Sequence, residues 1–321
     1  MKLGLELREG LKPSFSAVVA NKLRAALTTM GIIIGIVSVT LMGAAIEGLT
    51  RAFNKSISSV GADVLYVEKW PWIAGQEWWK YRDRRSIKPE YAETINKEAT
   101  LAVAAAPAEG MMGTVRWRNM TASNVSVYGT TSEYAIVMGM NMADGRFFTQ
   151  EESRADRPLA VLGKDVAKQL FPNRDPLEKM IKINGLPFRV IGVLSRQGSF
   201  LGMFKLDNQV IIPLGQFERI YGTHVPPWIC VLVANQKEMA NAKEELRGIM
   251  RRIRKLSPRQ PDDFSIDEQS LLTNAFAKIT NIIGAVGLFI TALSLFVGLV
   301  SGIIPAYRAS WLDCVEALRY E

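Results

Sequence analysis

The chain has 321 residues, of which 48% are hydrophobic and 22% charged, and a formal net charge of +8. That balance excludes an intrinsically disordered chain, which could not build a core, and a protein sunk entirely in lipid, which could not carry so many charges. Two cysteines, Cys230 and Cys314, and a single histidine, His224, exclude a disulfide framework and any site built on two histidines.

Residues 1–24 combine Leu3, Leu5, Leu7 and Leu11 with Lys2, Arg8, Lys12, Lys22 and Arg24. After Pro13 the apolar residues Phe15, Val18, Val19 and Leu23 recur at helical spacing, which predicts an amphipathic elbow helix lying on the inner leaflet. Residues 25–46 then carry no charged side chain. As a helix that stretch is roughly 33 Å long, enough to cross a hydrocarbon core, and a transmembrane helix is expected over 25–50. It exceeds the roughly 7–15 apolar residues of a signal peptide, so a retained span is expected. The basic residues before it place the N-terminus in the cytoplasm.

Residues 51–263 read as an extracytoplasmic domain. VLYV at 64–67, LAVAAAP at 101–107, GTVRW at 113–117 and SNVSVYG at 123–129 are β-like runs. LAVLG at 159–163 leads into a short helix, DVAKQLF. KINGLPFRVIGVL at 182–194 predicts a hairpin turning on Asn184-Gly185, a pair suited to a type I′ turn. NQVIIPL at 208–214 precedes another short helix, GQFERIYG, and WICVLVAN at 228–235 is a further strand. Cys230 within it is expected to be a small buried hydrophobe. Residues 236–256 predict an amphipathic helix ending in Arg251, Arg252, Arg254 and Lys255, expected to be a solvated end complementing the helix dipole. Strands and helices mix without a regular βαβ period, so the expected fold class is α+β, flanked by transmembrane helices.

Four of the seven tryptophans, Trp70, Trp72, Trp78 and Trp79, fall just before Lys80, Arg82, Arg84 and Arg85. Tryptophan beside basic residues favours contact with lipid headgroups or with an anionic partner. Packing of the same rings into the domain's own core is the competing reading. Residues 264–307 are expected to form a stalk and a second span, since 279–307 again lack any charge. Arg308 opens a cytoplasmic tail, 308–321. Each apolar run holds a small-residue pair, Gly31 with Gly35 and Gly298 with Gly302, of the kind that lets helix backbones approach in lipid.

At this point the sequence resembles a known family. NKLRAALTTMGIIIGIVSVTLMGAAIEG (21–48) is similar to the first span of MacB/FtsX-type ABC transporter permeases, and ISSVGADVLYV (57–67) to their entry into the periplasmic core. GRFFTQEESRADRPLAVLGKDVAKQLF, DPLEKMIKINGLPFRVIGVL and VIIPLGQF resemble the body of that domain. PAYRASWLDCVEALRYE (305–321) resembles the family's ending, with Cys314 where a proline is more usual.

The resemblance implies a non-catalytic permease subunit in the cell's inner membrane, with both termini cytoplasmic. It implies a cytoplasmic ATPase partner, met in part by Lys12, Lys22 and Arg24 of the elbow, and a homodimer or paralogous permease. A periplasmic adaptor or lipoprotein is a further expected partner, and the exported or extracted substrate belongs to the peptide, antibiotic or lipoprotein class. One departure stands out. ITALSLFVG, similar to the middle of the family's second span, runs directly into LVSGIIPAYRAS, similar to the end of its fourth. Most of two spans and a docking helix are thus expected to be missing.

No Gly-x-x-x-x-Gly-Lys-[Ser/Thr] loop and no Gly-x-Ser-x-Gly elbow occur, so no catalytic residue, cofactor or metal is expected. Nucleic acid is not an expected partner of an outward-facing domain. The rival function is a two-span anchored binding or scaffold protein without ATPase coupling.

Overall fold

The computed structural model describes residues 22–57, 63–73, 79–200 and 204–310. Two compact units emerge, one helical and one, Ala52–Asn274, of mixed structure.

The helical unit is built on α1 (Lys22–Ile57) and on α8 (Gln269–Ser310), the last element of the chain. Over their uncharged stretches, 25–46 and 279–307, both are apolar around their whole circumference. Ile32, Ile33, Ile34 and Ile36 on α1 and Leu288, Phe289 and Phe296 on α8 are all exposed within the unit. Helices apolar on every side belong in a core or in lipid. Thr29–Asn54 and Gln269–Val300 are long and apolar enough to cross a membrane. Their threonines bond back to their own helices, Thr40 to Ile36 O at 2.9 Å and Thr291 to Gly287 O at 2.8 Å, which satisfies the hydroxyls without water. The two helices pack antiparallel. A Cβ placed on Gly35 would lie 3.9 Å from Ser294 Cβ, one on Gly284 would lie 4.0 Å from Ile46 Cδ1, and one on Gly287 would collide with the Met42 thioether.

The mixed domain is organised around one ten-stranded sheet. Its strands are β1 (Val64–Glu68), β2 (Ala102–Trp117), β3 (Met120–Thr130), β4 (Met142–Gly145), β5 (Leu159–Leu162), β6 (Met180–Ile183), β7 (Leu186–Leu194), β10 (Gln209–Pro213), β11 (Trp228–Val233) and β12 (Ser265–Glu268). They run in the order β12-β1-β11-β2-β3-β10-β5-β7-β4, with β6 bridging β2 and β7. The pairs β3–β10 and β5–β7 are parallel and the others antiparallel. A separate two-stranded ribbon joins β8 (Ser199–Phe200) to β9 (Phe204–Lys205).

Helices clad the sheet on both faces. On one face α2 (Tyr91–Glu98) and α7 (Met239–Ile253) bury Ile95, Leu246 and Ile249 against Leu65, Val67, Ile229 and Val231. On the same face, α5 (Lys164–Leu170) and α6 (Leu214–Tyr221) bury Leu170 and Phe217 against Val125, Val127, Phe188 and Ile212. The opposite face has a single cluster, where Tyr134 of α3 (Tyr134–Val137) packs with Ala106, Val161, Ile211 and Cys230. A short α4 (Gln150–Arg154) opens on a capping box, with Thr149 and Glu152 exchanging hydrogen bonds.

The α+β expectation agrees with this architecture. Asn184 and Gly185 turn the β6–β7 hairpin with φ of 46° and 94°, the left-handed pair a type I′ turn requires. Two expectations need correction. The runs at 101–107 and 113–117 are one strand, β2, continuous through Glu109, Gly110 and Met111 because β3 pairs with it from Ala108 to Trp117, where the β11 pairing ends. The basic end of α7 is solvated only in part, with Arg252 and Lys255 exposed. Arg254 is 2% exposed and its guanidinium pairs with Asp263, while Arg251 binds Asp262.

Candidate functional site

The most informative geometry in the mixed domain lies where its first and last strands meet. β1 is the first strand after α1, and β12 ends at Glu268, one residue before α8 begins. These two short strands are hydrogen-bonded neighbours, with Leu65 opposite Glu268, Tyr66 opposite Asp267 and Val67 opposite Ile266. The chain segments leading to both apolar helices are thus joined in one ladder at the sheet's edge. Four residues of antiparallel pairing are weak by themselves. Side chains brace them.

Trp72 supplies the first brace. Its backbone N–H donates to Asp267 Oδ2 at 3.1 Å, its indole Nε1 donates to Glu68 Oε1 at 2.9 Å, and its ring packs at a 49° tilt against Tyr66 with centroids 4.9 Å apart. One tryptophan therefore grips both strands. Burial pushes the Glu68 and Asp267 carboxyls upward, against the Trp72 hydrogen bonds that favour their charged forms. Arg84 supplies the second brace, donating to Lys69 O and to Ser265 Oγ, both at 3.1 Å. Lys243 of α7 reaches Glu268 at 3.4 Å.

Behind the joint stands an arginine–carboxylate lattice. Buried Arg254 pairs with Asp263 and donates to Ser86 O at 3.1 Å and Arg85 O at 2.9 Å. Arg85 returns to Asp263 at 3.1 Å. Burial alone would raise Asp263, but Arg254 and Arg85 outweigh it and hold the carboxyl below its usual range. The lattice clamps the residues after the tryptophan-rich segment onto the approach to β12.

The structure thus divides the aromatic and basic residues singled out in the sequence. Trp72, Arg84 and Arg85 hold the joint. Trp70 and Trp79 are exposed, as is Arg82, and Lys69 lies over the Trp70 ring at 4.9 Å. Trp78 lies outside the described residues, as do Lys12, most of the elbow and residues 311–321 with Cys314. Lys22 begins α1 and is exposed, and Arg24 follows on the same helix. Of the four glycines proposed for helix packing, Gly35 lies in the α1–α8 contact, whereas a Cβ on Gly31 or Gly298 would meet open space. Gly302 falls in the last turns of α8. Gly284 and Gly287, which the sequence reading passed over, complete the contact. Their Gly-x-x-Gly spacing was the signal available for finding them.

Among the described residues no group of three or more His, Cys, Asp or Glu side chains could hold a metal ion. Cys230 is a fully buried thiol, pushed far up by that burial. The arrangement is one of braces and ladders, suited to carrying load between β1, β12 and the rest of the sheet.

Comparison with known proteins matches residues 25–249 to the model of the MacB-like periplasmic core domain. A pyoverdine export ATP-binding/permease protein from Pseudomonas aeruginosa is 28% identical over 296 residues, covering 91% of this chain and 42% of that protein. A macrolide export ATP-binding/permease protein from Bdellovibrio bacteriovorus is 28% identical over 295 residues, covering 91% and 45%. The chain therefore spans less than half the length of these relatives. Among solved structures, the periplasmic region of MacB from Actinobacillus actinomycetemcomitans aligns with a TM-score of 0.56 at 21% identity, covering 69% of this chain and 95% of that one. The extracellular domain of the noncanonic ABC-type transporter YknZ from Gram-positive bacteria aligns at 0.51 and 17% identity, covering 64% and 100%. Those two share the fold.

Proposed function

The chain belongs to the MacB-like periplasmic core domain family, and we propose that it is the permease part of an ABC exporter, passing ATP-driven movement from a cytoplasmic ATPase to an extracytoplasmic head. The carrying observation is the β1–β12 ladder, which ties together the two segments that lead to the apolar helices. A displacement arriving along either segment reaches the same sheet edge, and the Trp72 and Arg84 braces carry it inward. The permease contributes no chemistry of its own, and ATP hydrolysis belongs to the ATPase.

In this reading both termini face the cytoplasm and the head, 51–263, stands outside the inner membrane. The span glycines serve contacts within the chain and with a second permease copy or a paralogue. Lys12, Lys22 and Arg24 face the ATPase from the elbow. Trp70, Trp79 and Arg82, exposed on the head, meet headgroups or an adaptor. The similar proteins are named for pyoverdine and macrolide export, which supports a cargo of the peptide or antibiotic class.

Affinity purification of the full chain from its native membrane tests the proposal. An ABC-type ATP-binding protein or domain recovered in stoichiometric amount is the expected result. Recovery with outer partners alone would contradict it and favour an anchored scaffold without energy coupling.

A further inference from the structure

Five cations gather where β2 turns into β3 and β6 runs beside it. Arg116 and Arg118 flank Trp117 at the end of β2, Lys179 and Lys182 stand just before and within β6, and Arg174 lies in the loop after α5. All five are exposed, and among the described residues none has an ion pair or a side-chain hydrogen bond. Arg116 and Lys182 sit directly opposite each other across the β2–β6 ladder. Val115, Ile181 and Ile183 are buried in the core, so strand alternation turns both cations to the outer face. Like charges in that position repel. Arg118, Arg174 and Lys179, with Trp117, line an open pocket of about 610 Å³ at the same corner.

Exposed cations are usually no more than solvated charge. Three features set these apart. Arg118 holds φ of 50°, a left-handed conformation that costs a residue with a Cβ roughly 1–2 kcal/mol. Asn173 and Glu178, in the loop after α5, hold φ of 58° and 59°. Two guanidiniums also converge on one indole. Arg118 Cζ lies 5.0 Å and Arg174 Cζ 5.8 Å from the Trp117 ring centroid, and Phe171 packs against that ring at 4.4 Å. The carboxylates on the pocket walls, finally, are engaged elsewhere: Asp175 accepts from Leu177 N–H at 2.9 Å, and Glu178 pairs with Arg189 at 3.4 Å. Backbone bonds fix the loop, from Glu178 N–H to Val190 O at 2.8 Å and from Val190 N–H to Lys179 O at 3.0 Å. Strain and like-charge crowding destabilise the domain itself, and an anion shared among these cations would relieve the crowding.

A carboxylate is planar and pairs best with one guanidinium in its own plane. Guanidiniums and an ammonium arriving from different elements suit a phosphate instead, whose three acceptor oxygens point in different directions. We infer that this corner of the head binds an anion carrying two or more phosphate groups. Arg118, Arg174 and Lys179 surround one phosphate in the pocket. Arg116 and Lys182, on neighbouring strands about 4.8 Å apart, hold the second. This inference stands apart from ATPase coupling.

The test uses the full chain in phosphatidylcholine nanodiscs, titrated with sodium tripolyphosphate in a calorimeter. Orthophosphate and citrate at matched ionic strength are run beside it. Saturable binding of tripolyphosphate is expected, with orthophosphate and citrate weaker by about tenfold or more. Arg118→Gly is the decisive variant, because glycine adopts the left-handed conformation freely. It should leave Tm unchanged or raise it, while weakening tripolyphosphate about tenfold. Lys182→Gln, which removes the like-charge pair, should do the same, and Arg252→Gln on α7 should leave binding unchanged. Nanodiscs in which cardiolipin, a lipid with two phosphates, replaces part of the phosphatidylcholine identify the source. Weaker tripolyphosphate binding there assigns the site to membrane phosphates, and unchanged binding assigns it to soluble ones. No saturable binding, equal affinity for citrate or orthophosphate, or full affinity in both Arg118→Gly and Lys182→Gln would each overturn the inference.

Discussion

Glu109 and Glu152 are both buried glutamates, 2% and 8% exposed, yet their surroundings drive them in opposite directions. Glu152 accepts two hydrogen bonds from Arg146, at 2.6 and 2.8 Å, and one from Thr149 N–H at 3.0 Å. Those bonds, the Arg146 pair foremost, hold it down at about 2. Its contribution to stability is present above the ordinary glutamate value of about 4.3 and is lost as pH falls towards 2. Glu152→Ala should cost about 1–3 kcal/mol at neutral pH, read from urea unfolding of the full chain in detergent. Glu109 has the reverse sign. Its folded value of about 7 lies above the unfolded one, so the folded state holds a proton that the unfolded state has released. Stability should fall as pH rises from about 4.3 to about 7 and then level off. Glu109→Gln should remove that decline and raise stability at about pH 8 by roughly 1–3 kcal/mol; an unchanged pH profile would refute the assignment. Neither role was legible in the sequence. Glu109 stands in AEGMM, between the two β-like runs at 101–107 and 113–117, and its burial depends on α6 folding over β2 from a hundred residues away. Arg254 was misread for the same reason, since its partner Asp263 and the carbonyls of Arg85 and Ser86 come from outside its helix.

Elements governed by local chemistry were legible, and those governed by distant pairing were not. The Asn184-Gly185 turn, the short helices after β5 and β10, and the strand at Trp228–Val233 all follow from local pattern. β2 did not, because Gly110 and Gly113 interrupt its apolar alternation. Those glycines sit where a side chain would meet Tyr128 and Trp228, or the Tyr221 hydroxyl. The helix pair gives a sharper test. In Gly35→Cys/Ser294→Cys the two Cβ atoms should lie about 4 Å apart, within disulfide range, so mild oxidation should cross-link α1 to α8. Adding Gly287→Leu should abolish the cross-link by driving a side chain into Met42, whereas adding Gly31→Leu should spare it. At the strand joint, Trp72→Ala removes the indole bond to Glu68 and the tilted ring contact with Tyr66. A loss of about 1–3 kcal/mol is expected in the same unfolding assay.

At the scale of the whole molecule, two uncharged runs around a mixed domain announced two helices long and apolar enough to cross a membrane. Order and spacing of motifs announced the family, and the match over residues 25–249 bears that out. The β1–β12 ladder was beyond reach, since strands two hundred residues apart carry no mark of their pairing. It is nonetheless the feature on which the proposed transmission depends. Hydrogen exchange across Val64–Glu68 and Ser265–Glu268 examines it most directly. The full chain, reconstituted in nanodiscs with the proposed ATPase, would be compared with and without vanadate-trapped nucleotide. A nucleotide-dependent change in protection along both strands is predicted, and identical exchange in the two states would contradict the account.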